Sequence, residues 1–481
     1  MSSPTLLKHY VGGQWVDAGS REILSVNPSD TTDAVGVCRE AEESLVIEAV
    51  SCARAAQPDW AASSPELRSD LMDRIGGEIL KRSDDLGVLL AREEGKTVAE
   101  AAAETVRAGR IFKFFASEAL RCGGRNLESV RQGVDARTRR APLGVFALIT
   151  PWNFPIAIPA WKAAPALAFG NTVVLKPSPI TPAVAVALTE IIEQAGVPGG
   201  VFNLVHGDGV TGAALSSSAD IDGVSFTGSQ AVGAKIAMSA AQTGTRVQLE
   251  MGGKNPLLVL DDTDLDIALD CAINGAFFST GQRCTASSRI IVTEGIHDEF
   301  VDEMTVATSK LVVGDARDPE TQIGPLASES QLEKSLSYIS IAQQEGASRA
   351  TGGERLDLAA PGFYLQPALF TGTSPEMRIN REEVFGPVAS VIKVSDYVEA
   401  LTIANATPFG LSAGICTTSL RYASHFEKHA QAGMTMVNLP TAGVDYHVPF
   451  GGCKASSYGP REQGYAAVEF YTQLRTNYVA A

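Results

Sequence analysis

Short runs of β-branched and other apolar residues alternate with helix-like stretches from residue 143 onward. The first such runs are LGVFALIT, NTVVLKP, GVFNLVHG, DGVSFTG and TRVQLEMGG. The same alternation returns between residue 253 and about residue 435, in NPLLVL, SSRIIVT, ASVIKV and AGICTT. Strands that alternate with helices form a mostly parallel sheet covered on both faces. The sequence therefore predicts an α/β fold with two parallel-sheet domains.

The N-terminal third has a different pattern. After a short β-like segment, HYVGGQWVD, residues 63–96 carry apolar side chains at three- and four-residue spacing, and residues 98–121 continue that spacing. Ser64 directly precedes Pro65, a pair typical of the N-cap and the first turn of a helix. We therefore expect helices across most of this region.

Composition limits the classes of function. The 481 residues, 45% apolar and 20% charged, suffice for two or three domains. A formal charge of -16 repels polyanions, so neither nucleic acid nor an acidic membrane surface is expected as a partner. No signal peptide and no run of about 18 apolar residues is visible, which predicts a cytoplasmic protein. The seven cysteines are scattered, which predicts reduced thiols and no metal site.

Two segments of the first sheet are candidates for ligand binding. FTGSQAVG, residues 226–233, follows a predicted strand and opens a predicted helix, where free backbone N–H groups can meet a phosphate. It lacks the three-glycine dinucleotide fingerprint, so an ordinary strand-to-helix turn is the alternative. Lys176 in VLKPSP stands at the carboxyl end of a strand, where α/β sheets bind ligands, or it is a solvated surface lysine.

Three further residues carry chemistry. Glu250 in LEMGGKNP ends a strand beside two glycines, where partial burial would raise its pKa and suit it to act as a general base. Asn153 in PWNFP offers an amide to a developing oxyanion, unless it is only a turn residue in a rigid loop. Cys284 in FFSTGQRCTASSR is either a nucleophile or a buried structural thiol.

In combination these motifs resemble the aldehyde dehydrogenase superfamily. TPWNFP, LEMGGKNP, GQRCTASSR and EEVFGPV occur in that family's order, and Cys284 lies 34 residues after Glu250, as in the family. The likeness extends from YVGGQWV to PFGGCKASSYG. The resemblance implies that Cys284 is the nucleophile, that Glu250 activates water, and that Asn153 and the backbone N–H of Cys284 form an oxyanion hole.

The resemblance also implies a nicotinamide cofactor, NADP or NAD. Lys176 and Glu383 would bind its riboses, and Phe385 would lie on the nicotinamide side. Gly228 and Ser229 would lie by the pyrophosphate, and Trp152 would border the nucleotide. NAD-preferring relatives commonly have a glutamate where this chain has Pro179, so Lys176 and Ser178 are expected to accept the 2′-phosphate of NADP. Alternatively, Pro179 only starts a helix.

The architecture implied by the resemblance has three parts. Residues 1–120 and 141–252 would form the nucleotide-binding domain, and residues 253–435 the catalytic domain. Residues 121–140 and 455–481 would form a small β extension for oligomerisation. VEFYTQLRTNYV alternates in a way that could pair with a sheet, and a homodimer or homotetramer is expected.

The substrate is the least explicit feature. Residues 438–464 resemble the bacterial α-ketoglutaric semialdehyde (2,5-dioxovalerate) dehydrogenase branch, which implies oxidation of this aldehyde to 2-oxoglutarate. Its carboxylate needs a partner, for which Arg283 and His447 are the candidates. An apolar funnel for aromatic aldehydes is the alternative, formed by Phe154, Trp161, Tyr446 and Phe450. A coenzyme A-acylating enzyme and a thiol hydrolase or acyltransferase are the rival reaction types.

Overall fold

The first large sheet has eight strands, of which the central five are parallel. The computed structural model describes residues 4–480. Across the sheet, the strands lie in the order Ser457–Tyr458, Arg246–Met251, Gly223–Gly228, Val145–Ile149, Thr172–Lys176, Phe202–Leu204, His9–Val11 and Gln14–Val16. Alternate residues of the strand Val145–Ile149 enter two separate apolar clusters, so this sheet is buried on both faces.

Helices cover both faces of this sheet. On one face lie Glu43–Ala62, Gly209–Ser216 and Gln230–Thr243, and on the other lie Pro65–Lys81, Ser83–Glu94, Val98–Arg121, Ala157–Ala168 and Pro182–Gln194. The predicted helix start at Ser64 and Pro65 is confirmed, since Ser64 Oγ accepts a hydrogen bond from the Leu67 amide at 3.1 Å.

The second large sheet has seven strands, all parallel except the first in spatial order. That order is Ser348–Thr351, Ala368–Thr371, Val388–Val394, Arg289–Thr293, Pro256–Val259, Ser412–Cys416 and Met434–Val437. Its helices are Leu265–Phe277, Glu294–Ser309, Glu329–Gln344, Arg378–Arg381, Tyr397–Asn405 and Leu420–His429. The predicted α/β fold with two parallel-sheet units is therefore confirmed.

Two three-stranded sheets flank these units. One contains Asn126–Glu128, Val134–Pro142 and Thr472–Ala480, all antiparallel. The C-terminal strand thus pairs with a strand of its own chain, while the first four residues of VEFYTQLRTNYV lie in the short helix Ala467–Tyr471. Ser457–Tyr458, which the sequence assigns to the extension, lies instead in the eight-stranded sheet because it pairs with Arg246–Met251.

The other small sheet contains Thr5–Leu7, Asp30–Arg39 and Glu22–Asn27. The sequence indicated only the strands near His9–Val11 in this region, although the NPSD turn between the two longer strands was a signal for a hairpin. The three-domain division itself stays a prediction. None of the helices within residues 4–480 has the length and apolarity to cross a bilayer.

Candidate active site

The parallel strands of the first sheet open at their carboxyl ends into a cleft with two connected parts. The inner part has a volume of about 170 Å³ and the outer part about 690 Å³. Pro151, Trp152, Thr227, Gly228 and Ser229 line both parts. Four further predicted residues line the inner part, namely Asn153, Cys284, Glu383 and Phe385. Two line the outer part, Lys176 and Ser178.

The inner part thus combines three polar groups, from Asn153, Cys284 and Glu383, with the aromatic ring of Phe385 as a fourth predicted residue. The Trp152 ring meets the Phe385 ring edge-on, with centroids 5.5 Å apart. Phe385 adopts a φ of +62°, a region that non-glycine residues rarely occupy and that clusters at functional sites. The cleft is therefore narrow and partly aromatic where it reaches the thiol.

Cys284 stands on a loop that the chain holds in a strained shape. Before it, Ser279 and Thr280 adopt φ values of +50° and +56° within the 3₁₀ turn Phe278–Gly281. Glu100 accepts hydrogen bonds from the amide and hydroxyl of Ser279 at 2.7 and 3.0 Å. On the C-terminal side of Cys284, its own carbonyl accepts a hydrogen bond from Asn255 Nδ2 at 2.8 Å. Both sides of the loop are thus fixed to other elements, which holds Cys284 in place.

The protein surroundings keep the Cys284 thiol protonated. Burial, followed by the nearby carboxylates of Glu383 and Glu250, raises the pKa of Cys284 to about 12. A thiolate is the reactive form, so a nucleophilic role requires a bound group or a proton acceptor that favours the anion.

Asn153 lies on a loop that hydrogen bonds to other elements hold in place. Its Nδ2 donates to the carbonyl of Gln282 at 2.9 Å, and an amide nitrogen carries a second N–H for another acceptor. Lys96 Nζ donates to the Asn153 carbonyl and to Glu104 Oε2, both at 2.6 Å. Glu104 Oε1 in turn accepts from the amides of Ile156 and Ala157, both at 3.1 Å. A buried ion pair therefore fixes the loop that presents Asn153 to Cys284.

Glu250 is buried and turned toward the C-terminal segment. Strand pairing sets it opposite Ser457, whose Oγ donates to Glu250 Oε2 at 2.5 Å. Burial and the neighbouring carboxylate of Glu462 raise the pKa of Glu250 well above its ordinary value. Its side chain does not line either part of the cleft, whereas the next residues, Met251 and Gly252, line the inner part.

A second buried ion pair lies beside Glu250. Lys162 Nζ donates to Glu462 Oε1 and, at 2.8 Å, to Ser225 Oγ. The sequence analysis missed this pair and Ser457. Lys162 had a visible signal, because it is the one charged residue in the otherwise apolar helix Ala157–Ala168, and a buried lysine needs a partner. Glu462 is separated from Lys162 by 300 residues, so nothing local predicted their contact.

The carboxylate of Glu383 is held against the glycine pair after Glu250. Glu383 Oε1 accepts from the Gly253 amide at 2.9 Å. A Cβ atom on Gly252 would come within 2.1 Å of a Glu383 oxygen, so a side chain there would displace the Glu383 carboxylate from this position. Burial raises the pKa of Glu383. The carboxylate is thus fixed on the wall of the inner part, able to accept hydrogen bonds from hydroxyl groups.

Lys176 ends its strand at the outer part of the cleft. Its Nζ donates to the carbonyls of Pro177 and Gly207 at 2.6 and 2.9 Å, and burial lowers its pKa to about 8. Ser178 and Pro179 line the same part, as does Asp208, which pairs with Arg21 at 2.8 Å. The helix Gln230–Thr243 begins just after Ser229, and Ser229 and Val232 line the outer part, so free amides of its first turn are available to a ligand there. These groups suit a phosphorylated ligand.

The candidate substrate residues comprise an apolar group, Phe154, Trp161, Tyr446 and Phe450, and two basic residues, His447 and Arg283. Trp161 packs on Phe450 with ring centroids 5.4 Å apart, and the Phe154 ring lies 4.0 Å from Lys96 Nζ. Tyr446 packs on His447, which is exposed on the loop 438–449. The apolar residues therefore lie around the first turns of one helix and the C-terminal segment.

Arg283 is engaged away from the cleft. Its Nη2 pairs with Glu100 at 3.1 Å, and its Nε donates to Ser279 Oγ at 3.0 Å. Arg283 also contacts Asn274 and lines neither part of the cleft. Its guanidinium thus stabilises the loop before Cys284. The structure gives no geometric support to its sequence-based assignment as the partner of a substrate carboxylate, because Glu100 already occupies that role.

Within residues 4–480, His, Cys, Asp and Glu side chains form no cluster of three that could hold a metal ion.

Comparisons with known proteins agree with the geometry. The profile of the family described as "Aldehyde dehydrogenase family" matches residues 15–477. The alpha-ketoglutaric semialdehyde dehydrogenase of Bacillus subtilis (strain 168) is 42% identical over 475 residues, covering 98% of this chain and 97% of its own. The alpha-ketoglutarate semialdehyde dehydrogenase of Haloferax volcanii is 44% identical, with 99% of both chains covered.

Relatives with another substrate name are nearly as similar. The betaine aldehyde dehydrogenase of Rhizobium etli (strain CIAT 652) is 39% identical over 483 residues, covering 100% of this chain and 98% of its own. Among solved structures, betaine aldehyde dehydrogenase from Staphylococcus aureus in complex with NAD+ superposes with a TM-score of 0.96 at 32% identity, covering 98% of this chain and 95% of that one. With a thiol, an amide and the Glu383 carboxylate on the wall of one cleft and a family match along almost its whole length, this chain belongs to the aldehyde dehydrogenase family.

Proposed function

We propose that the protein oxidises an aldehyde to a carboxylic acid with NAD(P), using Cys284 as the nucleophile. The observation that carries this proposal is the inner part of the cleft, which Cys284, Asn153 and Glu383 line together and which opens into the outer part at Gly228 and Ser229. An aldehyde at Cys284 and a dinucleotide in the outer part would meet at this junction.

The cleft fits a dinucleotide by its donor set. In our proposal, Lys176 and Glu383 hold the riboses, Gly228, Ser229 and the start of the following helix meet the pyrophosphate, and Trp152 and Phe385 border the nicotinamide. When bound, the nicotinamide supplies the acceptor for the aldehyde's hydride. Ser178 lines the outer part, and we assign it to the adenosine end of the cofactor.

The residues of the chain divide the reaction into two stages. An aldehyde cannot release hydride until its carbon is tetrahedral, so the Cys284 thiolate first adds to it and forms a thiohemiacetal. The second N–H of Asn153, with the Cys284 backbone N–H, stabilises the resulting oxyanion. Loss of hydride from the thiohemiacetal leaves a thioester on Cys284.

Glu250 completes the cycle by taking a proton from water as the water attacks the thioester. The raised pKa of Glu250 supports this role, because a carboxylate with a higher pKa is a stronger proton acceptor. Since its carboxylate lies against Ser457, it has to turn toward Cys284 or act through a water molecule. The acid is then released and Cys284 is regenerated.

The decisive test is Glu250→Gln measured in the pre-steady state. This variant is expected to form the thioester and stall, so one equivalent of reduced nicotinamide appears in a burst before a slow steady state. Cys284→Ala is expected to show neither burst nor turnover, while Cys122→Ala, which removes a thiol at the end of the helix Val98–Arg121, retains both.

Other reaction types would give other results. A thiol hydrolase or acyltransferase would use Cys284 without producing reduced nicotinamide, and a coenzyme A-acylating enzyme would need coenzyme A for turnover. Normal turnover by Glu250→Gln would overturn the assignment of the base.

For the cofactor, we propose that NADP is accepted at least as well as NAD. Pro179 lines the outer part beside Lys176 and Ser178, so no carboxylate stands at this position to repel a 2′-phosphate. Pro179→Glu is expected to lower kcat/KM for NADP much more than for NAD, whereas the uncharged Pro179→Gln affects the two cofactors alike. A wild-type enzyme that is inactive with millimolar NADP would overturn this proposal.

For the substrate, we propose α-ketoglutaric semialdehyde, oxidised to 2-oxoglutarate. The names of the Bacillus subtilis and Haloferax volcanii relatives support it, whereas the similar Rhizobium etli relative introduces betaine aldehyde as the rival. The first substrate is an anion and the second a cation. We expect a far higher kcat/KM for 2,5-dioxopentanoate than for pentanal, betaine aldehyde or benzaldehyde, and a preference for either of the last two would replace this proposal.

We also propose that the protein works as a homodimer or homotetramer in the cytoplasm. The exposed apolar side chains of the three-stranded sheet, including Leu127 and Leu474, support self-association. The seven unpaired cysteines suit a reducing compartment.

A further inference from the structure

Arg107 is a largely enclosed arginine that has no carboxylate partner among the residues the structure describes. Its Nη2 donates to Gln463 Oε1 at 3.1 Å, and its guanidinium carbon lies 5.6 Å from the centroid of the Trp161 ring. Its Nε is buried without an acceptor. Lys96, Lys162 and Arg283 each pair with a carboxylate, and the buried Lys176 and Arg289 donate to backbone carbonyls. Arg107 has only the neutral amide oxygen of Gln463 as an acceptor. Enclosing a cation without a counter-ion is costly, so this arrangement calls for an anion.

Two neighbours of Arg107 also have a buried N–H group that lacks a hydrogen-bond acceptor. Trp161 Nε1 and Gln463 Nε2 are both buried N–H donors without an acceptor. Arg107 donates to the Gln463 side chain and lies against the Trp161 ring, so the three unpaired donors belong to Arg107 and to two residues that contact it. Gln463 also adopts a φ of +60°, a conformation that costs free energy in a non-glycine residue and clusters at functional sites. A carboxylate accepts several such hydrogen bonds at once.

The helix Val98–Arg121 directs Arg107 toward the active-site side. Glu104 precedes Arg107 by three residues, so both lie on one face of the helix. Glu104 binds the amides of Ile156 and Ala157, and Arg107 reaches Trp161, one helical turn beyond Ala157. Arg107 therefore lies one turn further along the wall from the loop that carries Asn153.

Charge also connects Arg107 with the thiol. Burial lowers the pKa of Arg107, while Glu104, Asp445 and Cys284 oppose that shift. Glu104 is already bound to Lys96, and Asp445 is exposed on the loop 438–449 without an ion pair to Arg107. Contacts also link this helix to the site, because Lys96 joins Glu104 to the Asn153 carbonyl and Asn153 lines the inner part of the cleft with Cys284.

We propose that Arg107, with Trp161 Nε1 and Gln463 Nε2, binds the carboxylate at the far end of an acidic aldehyde while Cys284 takes its carbonyl carbon. This assignment rests on the proposed function and makes Arg107 the residue that determines substrate charge. It replaces Arg283 and His447, since the first is paired with Glu100 and the second is exposed.

The test compares Arg107→Gln with the wild type on 2,5-dioxopentanoate and pentanal. Loss of a charged hydrogen-bonding partner is expected to lower kcat/KM for the acid about ten- to a hundredfold, mainly through KM, with little change for pentanal. Betaine aldehyde, a cation, is expected to improve rather than decline. Arg110→Gln, an exposed arginine on the same helix, is the matched control and is expected to behave as the wild type.

A binding measurement gives a second readout that needs no turnover. The product 2-oxoglutarate should raise the Tm of the wild type and of Arg110→Gln, and this shift should disappear in Arg107→Gln. Arg107→Lys, which keeps the charge but not the planar fork, should retain part of it. If Arg107→Gln is unstable without ligand, Gln463→Leu tests the same cluster, and an unchanged acid preference in that variant would count against the proposal.

The possible failures are distinguishable. A wild type that oxidises pentanal as efficiently as 2,5-dioxopentanoate overturns the proposed substrate itself. A wild type that prefers the acid, with the preference intact in Arg107→Gln, leaves the proposed substrate standing and overturns the role of Arg107.

Discussion

At the scale of single residues, burial sets the reactivity of the site. The Cys284 thiol is surrounded by the protein and by the carboxylates of Glu383 and Glu250, and all three effects favour its neutral form. Burial and a neighbouring carboxylate, that of Glu462, raise the pKa of Glu250 as well. The free protein thus holds its nucleophile as a thiol, and the reactivity of Cys284 has to be gained by ligand binding or by raising the pH.

Alkylation of Cys284 in the free protein should therefore increase steadily with pH. A thiol whose pKa is about 12 gains thiolate about tenfold per pH unit below that value, so the rate should rise from neutral to alkaline pH without a plateau. Iodoacetamide labelling followed by peptide mapping separates Cys284 from the other six cysteines. Glu383→Gln should speed labelling at each pH because it removes a nearby negative charge, whereas Glu382→Gln, next to it but paired with Arg378, should not. A plateau near neutral pH would contradict this prediction.

The identities of the site residues were accessible from the sequence, but their orientations were not. The motifs around Asn153, Glu250 and Cys284 named side chains with suitable chemistry, and Asn153 and Cys284 do line one cavity. The motif around Cys284 equally suggested Arg283, whose side chain turns to Glu100. Arg107 lies in a helix with an ordinary amphipathic pattern. Its importance depends on contacts with Trp161 and Gln463, 54 and 356 residues away, which no local pattern encodes.

At the scale of elements, the spacing of apolar residues and the turn residues predicted those helices and strands that depend mainly on local interactions. Strands buried on both faces, such as Val145–Ile149 and Pro256–Val259, are continuous apolar runs and were visible in the sequence. The strands Glu22–Asn27 and Asp30–Arg39 were missed because they are partly exposed and mix polar with apolar residues. Ser457–Tyr458 has only two residues, so its place beside Glu250 depends entirely on tertiary pairing.

One link between elements should control both stability and activity. Glu104 joins the helix Val98–Arg121 to the start of the helix Ala157–Ala168 and pairs with Lys96, which holds the Asn153 carbonyl. Glu104→Gln removes one partner of a buried ion pair and is expected to lower the free energy of unfolding by about 3–5 kcal/mol. It should also lower kcat because Asn153 loses its support. Urea unfolding and steady-state kinetics measure the two effects.

The matched control for this link is Glu118→Gln in the same helix. Its carboxylate pairs with Arg121, which is 62% exposed, so the change is expected to cost about 0.5 kcal/mol or less and to leave kcat unaltered. Equal stability losses in the two variants would show that Glu104 has no special part in joining the helices.

At the scale of the whole molecule, the site lies where the two large sheets meet. The chain leaves the first sheet at Met251, passes through Gly252 and Gly253, and enters the second sheet at Pro256. Asn153 and Glu250 thus come from the first sheet's unit and Cys284 from the second. Their relative positions depend on how these units pack, which explains why the sequence motifs could specify the chemistry without its geometry.

The exposed strand Thr472–Ala480 leads to the prediction for the assembled molecule. It is the outer strand of the three-stranded sheet, so one row of its backbone groups is unpaired within the chain, and its Leu474 and Tyr478 are 59% and 60% exposed. We expect this edge to be covered in a homo-oligomer. Leu474→Asp should then shift the sedimentation coefficient to a smaller species, because a buried charge at an interface is unfavourable. Leu420→Asp, at an 80% exposed position on the helix Leu420–His429 of the other unit, should leave the assembly unchanged. A wild type that sediments as a monomer at micromolar concentration, or an unaltered oligomer in Leu474→Asp, would show that this edge is not the interface.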